Sequence, residues 1–277
     1  MGTGGGTSNL GSQNTAIGES SFQSNTTGYQ NTANGVIALQ SNTTGYHNTA
    51  NGVSALQSNT TGHDNTANGV SALKNTTTGS NNIANGTSAL QSNTTGHENT
   101  ANGVNALKSN TTGYYNTASG VNALQSNTTG YQNIVNGSYA LYSNTTGYQN
   151  IANGDSALYS NITGNSNVAL GHQAGYYETG SNKLFIDNQA RASEADGRVK
   201  ALIYGVFDAT VANQSIVING KFACNAATPQ AAAASGGAVA TTGSALVSYG
   251  YTQSQADGIV TLLNNIRAAL VANGIMS

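Results

Sequence analysis

The feature that most constrains the fold of this chain is a repeat of seventeen residues. The adjacent segments SNTTGYHNTANGVSALQ (41–57) and SNTTGHDNTANGVSALK (58–74) differ at only three positions. Glycines recur at this spacing without insertion over ten units, in one series from Gly11 to Gly164 and another from Gly18 to Gly171. A fixed period near twenty residues predicts a solenoid, in which each unit buries its apolar face only against its neighbours.

Seventeen residues are too few for the two helices of a helical repeat, and they suit one coil of a β-solenoid with two strands and two turns. In each coil, N-T-A-N-G (48–52) and V-S-A-L-Q (53–57) are the predicted strands, and S-N-T-T-G is a predicted turn. The Leu column that runs from Leu39 to Leu158 is predicted to be buried, because it would otherwise form a long apolar stripe. The fold class is therefore all-β, with about ten coils over residues 1–175.

Composition excludes several classes of function. Only 6% of the residues are charged and the net charge is −2, which gives no electrostatic basis for binding nucleic acid. No run of eighteen apolar residues is present, so no membrane-spanning helix is expected. A single cysteine, Cys224, excludes an intramolecular disulfide framework.

No catalytic motif is found, and the chain is expected to be no enzyme and to need no cofactor or metal. The histidines His47, His63, His97 and His172 do not stand in a recognised catalytic pattern. Metal ligation by His63-Asp64 with His97-Glu98 is disfavoured against solvated turns. Calcium binding by the carboxylates after the repeat is disfavoured against loops that face water; those carboxylates are Asp187, Glu194, Asp196 and Asp208.

One column of the repeat predicts an amide ladder. The residue before the second glycine is apolar in the end coils (Ile17 and Leu170) and almost always Asn between them. The predicted Asn ladder comprises Asn34, Asn51, Asn68, Asn85, Asn102, Asn136 and Asn153. Stacked Asn side chains can hydrogen-bond along a β structure. The residue two positions earlier shares this face, because strand side chains alternate with period two.

A second column predicts an aromatic row on the edge of the rod. The residue after the first glycine is aromatic in most coils, and it is Ser80 in one. The candidate contacts for a receptor or glycan are Tyr29, Tyr46, His63, His97, Tyr114, Tyr131 and Tyr148. Aromatic faces backed by Asn, Gln and Thr suit sugar rings. The alternative, which is favoured for periodic aromatics, is that the rings stack on one another or on a neighbouring chain.

The end coils, Asn14-Thr-Ala-Ile-Gly18 and Asn167-Val-Ala-Leu-Gly171, resemble the S-V-A-I-G core motif of the YadA-like head of trimeric autotransporter adhesins. The wider pattern T-G-x-x-N-T-A-x-G-x-x-A-L is similar to head repeats of bacteriophage tail fibres. The resemblance spans residues 11–175 and implies a left-handed parallel β-roll of three chains side by side, with the motif's V and I positions pointing inward. The Asn ladder departs from this pattern. The family's anchor barrel and heptad stalk are not found in the sequence, which favours a fibre.

Three strands and a helix are predicted after the roll. Lys183–Asp187, Ala201–Phe207 and Ser215–Gly220 are the strands, with Asp196-Gly197 in a turn. Because this succession resembles the segment after such heads in phage fibres, residues 176–222 are interpreted as a trimeric β collar. Residues 223–251 are an Ala/Gly/Thr-rich connection. Residues 252–277 are a short helix whose trimerising stripe is Ile259, Leu263, Ile266 and Leu270.

Three functions remain open. The favoured one is a homotrimeric fibre or spike on a virion, from a phage, that attaches to a host. Its partners would be its own copies, other virion tail or capsid proteins, and a host cell-surface glycan or protein. The second is a bacterial surface adhesin head. The third is a monomeric ice- or surface-binding β-solenoid, although adjacent threonines such as Thr43 and Thr44 argue against a flat Thr array.

Overall fold

The computed structural model describes residues 11–222 together with Gln230 and Ala231. Ten three-residue strands occur at intervals of one coil: β1 (Thr15–Ile17), β2 (Thr32–Asn34), β3 (Thr49–Asn51), β4 (Thr66–Asn68), β5 (Ile83–Asn85), β6 (Thr100–Asn102), β7 (Thr117–Ser119), β8 (Ile134–Asn136), β9 (Ile151–Asn153) and β10 (Val168–Leu170). They are followed by β11 (Lys183–Ile186), helix α1 (Glu194–Lys200), β12 (Ile203–Val206), a 3-10 turn (Val211–Asn213) and β13 (Ser215–Ile218).

The chain divides into two compact units, Met1–Ile216 and Val217–Ser277. In the second unit, β14 (Lys221–Phe222) pairs antiparallel with β15 (Gln230–Ala231). The predicted connection (223–251, apart from β15) and the predicted helix (252–277) lie outside the described residues. The same is true of Cys224 and of the predicted trimerising stripe, Ile259, Leu263, Ile266 and Leu270.

The coil strands form one parallel sheet in sequence order. Each residue pairs with its equivalent seventeen positions later, as Ala50 does with Ala67. The prediction of a β-solenoid with seventeen-residue coils is therefore confirmed. Strand β11 adds a further parallel rung in which Val168 pairs with Leu184, a step of sixteen. Strand β12 then pairs antiparallel with β11, which ends the parallel stacking.

Three apolar columns fill the interior of the roll. Each interior coil contributes a strand residue such as Ala50 and the pair Ala55 and Leu56, all with no exposed surface. The prediction that the Leu column is buried is confirmed. Burying one such Leu stabilises the fold by roughly 2 kcal/mol. Phe22 occupies the Leu position of the first coil, and buried Phe185 lies against Gly175 at the other end.

The prediction of a second strand at 53–57 is wrong, because this segment consists of turns. Neighbouring residues in a strand face opposite sides, yet Ala55 and Leu56 are both fully buried. The backbone achieves this with left-handed residues: φ is +59° at Ser54 and +50° at Leu56. Hydrogen bonding between coils continues through the segment, since Ser54 N donates to Val36 O at 3.0 Å and Leu56 N donates to Ala72 O at 3.0 Å.

Two further columns of asparagine, which we call the inner Asn columns, are buried inside the roll. In the first column, Asn42 Nδ2 donates to Gly45 O and to Asn25 Oδ1, both at 3.0 Å. In the second, Asn48 N donates to Asn31 Oδ1 at 2.9 Å, while Asn48 Nδ2 donates to a turn carbonyl of the next coil at 2.8 Å. These amides satisfy backbone carbonyls that would otherwise be buried without partners.

The inner Asn columns explain one glycine series. A Cβ at Gly45 would lie 2.4 Å from both Asn42 Oδ1 and Gly62 O, so any side chain would push the coils apart. The other series is constrained by the backbone itself, since Gly52 has φ +139°. A Cβ at Gly52 would also lie 2.5 Å from Gly69 O, so both glycine series are required by contacts between coils.

The segment between β11 and β12 corrects a second prediction. Asp196 and Gly197 lie within helix α1 and not in a turn. Ser193 caps the helix by accepting a hydrogen bond from Asp196 N. Lys200 pairs with Asp196 one turn earlier, which supports the helix as an i,i+4 ion pair. This local pattern outweighs the turn preference of the Asp-Gly pair.

Two arginine forks tie this segment together. Arg198 donates to both carboxylate oxygens of Glu178, at 2.8 and 2.6 Å, and the Glu178 side chain is fully buried. Arg191 likewise binds both oxygens of Asp187, at 2.6 and 2.8 Å. Hydrogen bonding to Glu178 raises the pKa of Arg198, and hydrogen bonding to Asp187 raises the pKa of Arg191. The charges of this segment are thus paired with one another, whereas the roll is held by neutral amides.

We predict that Thr76→Asn stabilises the protein. Thr76 takes the place of Asn in the first inner Asn column, and Thr76 Oγ1 and Asn59 Oδ1 are both buried without a hydrogen-bond partner. An Asn at position 76 would donate to Asn59 Oδ1, as Asn42 does to Asn25. Satisfying such groups should raise the free energy of unfolding by about 1–3 kcal/mol, measured by denaturant titration.

Two control variants accompany this measurement. Thr78→Asn changes an exposed side chain of the same coil and should leave stability unchanged. Asn110→Thr creates the same defect elsewhere by removing the bond from Asn110 Nδ2 to Asn93 Oδ1, and it should destabilise by a similar amount. A Thr76→Asn protein no more stable than the parent would contradict the role assigned to this column.

Candidate functional site

The predicted aromatic row is present as two stacks of parallel rings. The first contains Tyr29, Tyr46 and His63, with ring centroids 5.0 and 4.7 Å apart. The second contains His97, Tyr114, Tyr131 and Tyr148, with centroids 5.1, 4.9 and 4.8 Å apart. Ser80 separates the two stacks. Stacking of the rings on one another, the alternative considered for the sequence, is therefore observed, and the ring edges remain partly exposed.

A neighbouring column flanks the row with polar and aromatic groups. His47 packs edge-on against Tyr29 and Tyr46, and Tyr115 packs edge-on against Tyr114. Asp64 bridges two histidines, with 2.9 Å from its Oδ2 to His63 Nδ1 and 3.1 Å from its Oδ1 to His47 Nδ1. The hydrogen bond with His63 is the largest cause of a lowered pKa at Asp64. Asp64 therefore fixes the orientation of the imidazole that ends the first stack.

A second row of stacked tyrosines, not predicted from the sequence, is present on the roll. Tyr142, Tyr159 and Tyr176 stack with centroids 5.1 and 4.8 Å apart, in the column that follows Leu. Tyr139 and Tyr177 pack against its members at an angle. Earlier coils carry Gln or Lys in this column, so inspecting it in the last three coils would have revealed the row.

The outward side of the coil strands forms what we call the strand face. It consists of the Thr49 column, the Asn51 column and the Val53 column. Apolar members of this face are exposed, among them Ile134 at 55% and Val70 at 49%. The motif's V and I positions, which the resemblance placed inward, thus lie on the outer surface of the single chain among the described residues, as Ile17 and Ile134 do.

The predicted Asn ladder lies on this strand face. Asn51 Nδ2 donates to Asn68 Oδ1 at 2.9 Å, and the pattern continues through Asn85 to Asn102 at 2.8 Å per step. A separate step joins Asn136 to Asn153 at 3.4 Å, beyond the interruption at Ser119. Asn34, the first member of the predicted ladder, is exposed on the same face.

The carboxylates considered as calcium ligands bind other protein groups. Asp187 binds Arg191, Glu194 pairs with Arg198, and Asp208 Oδ1 accepts from Thr210 N at 2.7 Å. Within residues 11–222, no three His, Cys, Asp or Glu side chains converge in a way that could hold a metal ion. In the part of the chain that the structure describes, no helix is long and apolar enough to cross a membrane.

Comparisons with known protein families, with characterised proteins and with solved structures gave no match to this chain. The function proposed below is therefore based on the solenoid and its surfaces.

We predict that two of the stacked tyrosines, Tyr131 and Tyr176, resist ionisation. Burial, followed by neighbouring Tyr148 and Tyr114, raises the pKa of Tyr131, and burial raises the pKa of Tyr176. The neutral phenol is favoured in the folded state, so the unfolded chain ionises first as the pH rises. The free energy of unfolding is therefore at its full value below the ordinary tyrosine pKa of about 10 and falls as the pH rises above it.

The measurement is an alkaline titration of phenolate absorbance, alongside thermal unfolding at each pH. Tyr131→Phe keeps a ring in the row and should remove one late-titrating tyrosine. A titration in which all tyrosines of the native protein ionise like free tyrosine would disprove the prediction.

Proposed function

We propose that the protein is a homotrimeric fibre or spike on a virion, of the kind by which a phage attaches to its host. The observation that carries this proposal is the exposed strand face. A face that repeats Val, Ile, Thr and Asn in straight columns is suited to burial against identical copies. The elements β11 to β13 that follow the roll would serve as the collar of this trimer.

The roll supplies a rigid support for binding. Every coil is joined to the next by backbone hydrogen bonds, by the inner Asn columns and by the apolar columns. Receptor contacts would be made by the aromatic row, whose ring edges remain partly exposed. Three chains, and several fibres on one particle, would multiply weak contacts into firm attachment.

The partners in this proposal are three identical chains, other tail or capsid proteins of the virion, and a glycan or protein on the host surface. A bacterial surface adhesin head is the second candidate. It uses the same trimer and the same exposed rows, and it differs in being located on a cell instead of a virion.

A monomeric ice-binding solenoid is the third candidate. One continuous column of exposed threonines supports it, running from Thr27 to Thr163. The threonine that precedes each member of this column does not extend the array, because its hydroxyl binds the next coil: Thr43 Oγ1 donates to Thr60 O at 3.0 Å. A single Thr column offers water no flat two-dimensional array, so we rank this function below the trimeric fibre.

We predict a trimer in solution. Light scattering coupled to gel filtration should give a mass near three times 27.9 kDa. The double variant Ile134→Lys/Ile151→Lys places charges on the strand face without touching the coil interior, because both side chains are exposed in the single chain. The mass of this variant, measured in the same way, should be that of a monomer.

The matched control for this experiment is Thr129→Lys/Thr146→Lys. It adds the same charge on the exposed turns of the same two coils. If the control also dissociates, the strand face is not the interface. A monomeric parent protein would refute the trimer and favour the ice-binding alternative.

We also predict that the aromatic row contacts the receptor. Replacing Tyr114, Tyr131 and Tyr148 by alanine should weaken binding to host cells at least tenfold while leaving the trimer intact. Replacing Tyr142 and Tyr159 instead, in the second row, is the matched control. Equal cell binding by the parent and the triple variant would remove the aromatic row from the proposed function.

A further inference from the structure

The aromatic row contains one gap, and the gap has the size of a ring. His63 is the last ring of the first stack, His97 is the first ring of the second, and Ser80 stands between them in the same column. Two coils separate the imidazoles, so they lie about 9.6 Å apart at a rise of about 4.8 Å per coil. A ring placed midway would lie about 4.8 Å from each imidazole. That distance matches the stacked pairs elsewhere in the row.

The floor of the gap is closed by Ser80 and Gly79. Ser80 Oγ accepts a hydrogen bond from His63 N at 3.1 Å and lies 3.4 Å from Thr78 O. Gly79 beneath it is buried. One wall is held in place because Asp64 fixes His63, and the other because His97 stacks on Tyr114. We call this space the ring slot.

The rim of the ring slot is polar on both sides. Thr61, Thr78 and Thr95 form an exposed hydroxyl column on one side. The exposed residues Asp64, Asn81 and Glu98 form a column of carboxylates and an amide on the other. A flat aromatic ligand would use the walls alone. A pyranose would use the walls for its C–H faces and the rim for its hydroxyls.

We propose that the ring slot binds one pyranose ring of a glycan, sandwiched between His63 and His97. The proposal deepens the fibre function and rests on it for the biological role, because it adds a sugar site in the same aromatic row beside the receptor contacts assigned to Tyr114, Tyr131 and Tyr148. The walls supply stacking, and the rim supplies hydrogen bonds to hydroxyl groups. Each trimer would carry three such sites along its flank.

The test uses the 277-residue chain and four defined probes: the methyl glycosides of glucose, galactose and mannose, and N-acetylglucosamine. Saturation-transfer NMR detects each bound sugar, and titration gives its affinity. The parent protein should bind at least one probe in the millimolar range. Indole serves as a planar aromatic probe for comparison.

Ser80→Tyr is the decisive variant. The new ring would fill the slot, continue the stack between His63 and His97, and leave the coil interior unchanged. Sugar affinity should fall at least tenfold. Asn165→Tyr adds a ring in the same column beyond Tyr148 without filling a gap, so it should bind sugar like the parent.

A complementary variant tests gain of binding. Tyr131→Ser opens a second slot of the same width between Tyr114 and Tyr148. It should raise the number of sugars bound per chain from one to two. If that number stays at one, stacking geometry does not create the site and the proposal fails.

The remaining outcomes are also decisive. Binding of no sugar by the parent, binding of indole alone, or full sugar binding by Ser80→Tyr would each overturn the ring slot. None of these results would affect the trimer mass, which tests the fibre separately. A monomer whose sugar binding is lost on Ser80→Tyr would keep the ring slot and refute the fibre.

Discussion

The structure depends on hydrogen bonds between one coil and the next. Only three residues of each coil are in a strand, yet backbone donors all around the coil find acceptors in the neighbouring coils, from Thr49 N to Asn65 O and from Ser54 N to Val36 O. Such a coil cannot be stable alone, because its buried peptide groups would have no partners. The fidelity of the repeat follows from this, since a side chain that alters one coil disturbs the coils on both sides.

Buried asparagine is the second consequence of this arrangement. The interior of the roll excludes water mainly with alanine and leucine, which is a small apolar core for its length. The inner Asn columns fill the remaining space and bind the turn carbonyls. A polar network of this kind stabilises only when every member is satisfied. The first inner Asn column is not fully satisfied at Thr76 and Asn59, nor at Asn161, whose Oδ1 is also buried without a hydrogen-bond partner.

The sequence predicted the period and the stacking of the coils from spacing, and the burial of the Leu column from its apolar stripe, whereas the parallel order of the strands was implied only by the family resemblance. It could not show that Val53 to Gln57 is a run of turns, since neither Ser nor Leu favours the left-handed φ that Ser54 and Leu56 adopt. Nor did it separate the buried Asn columns from the exposed Asn ladder, because all three share one residue type. The aromatic row was visible in the sequence, but the significance of Ser80 required the stacking geometry of the rings on either side.

The roll is closed at each end by a different device, Phe22 at the start and Phe185 with the two arginine forks at the finish. Between these ends the interior coils have the same residues at their core positions, apart from Thr76 and Val135. Gaining or losing seventeen residues would leave both closures intact and change the length of the rod by about 4.8 Å. Length is thus the property that this architecture can vary most freely, in equal increments and without redesign of any contact.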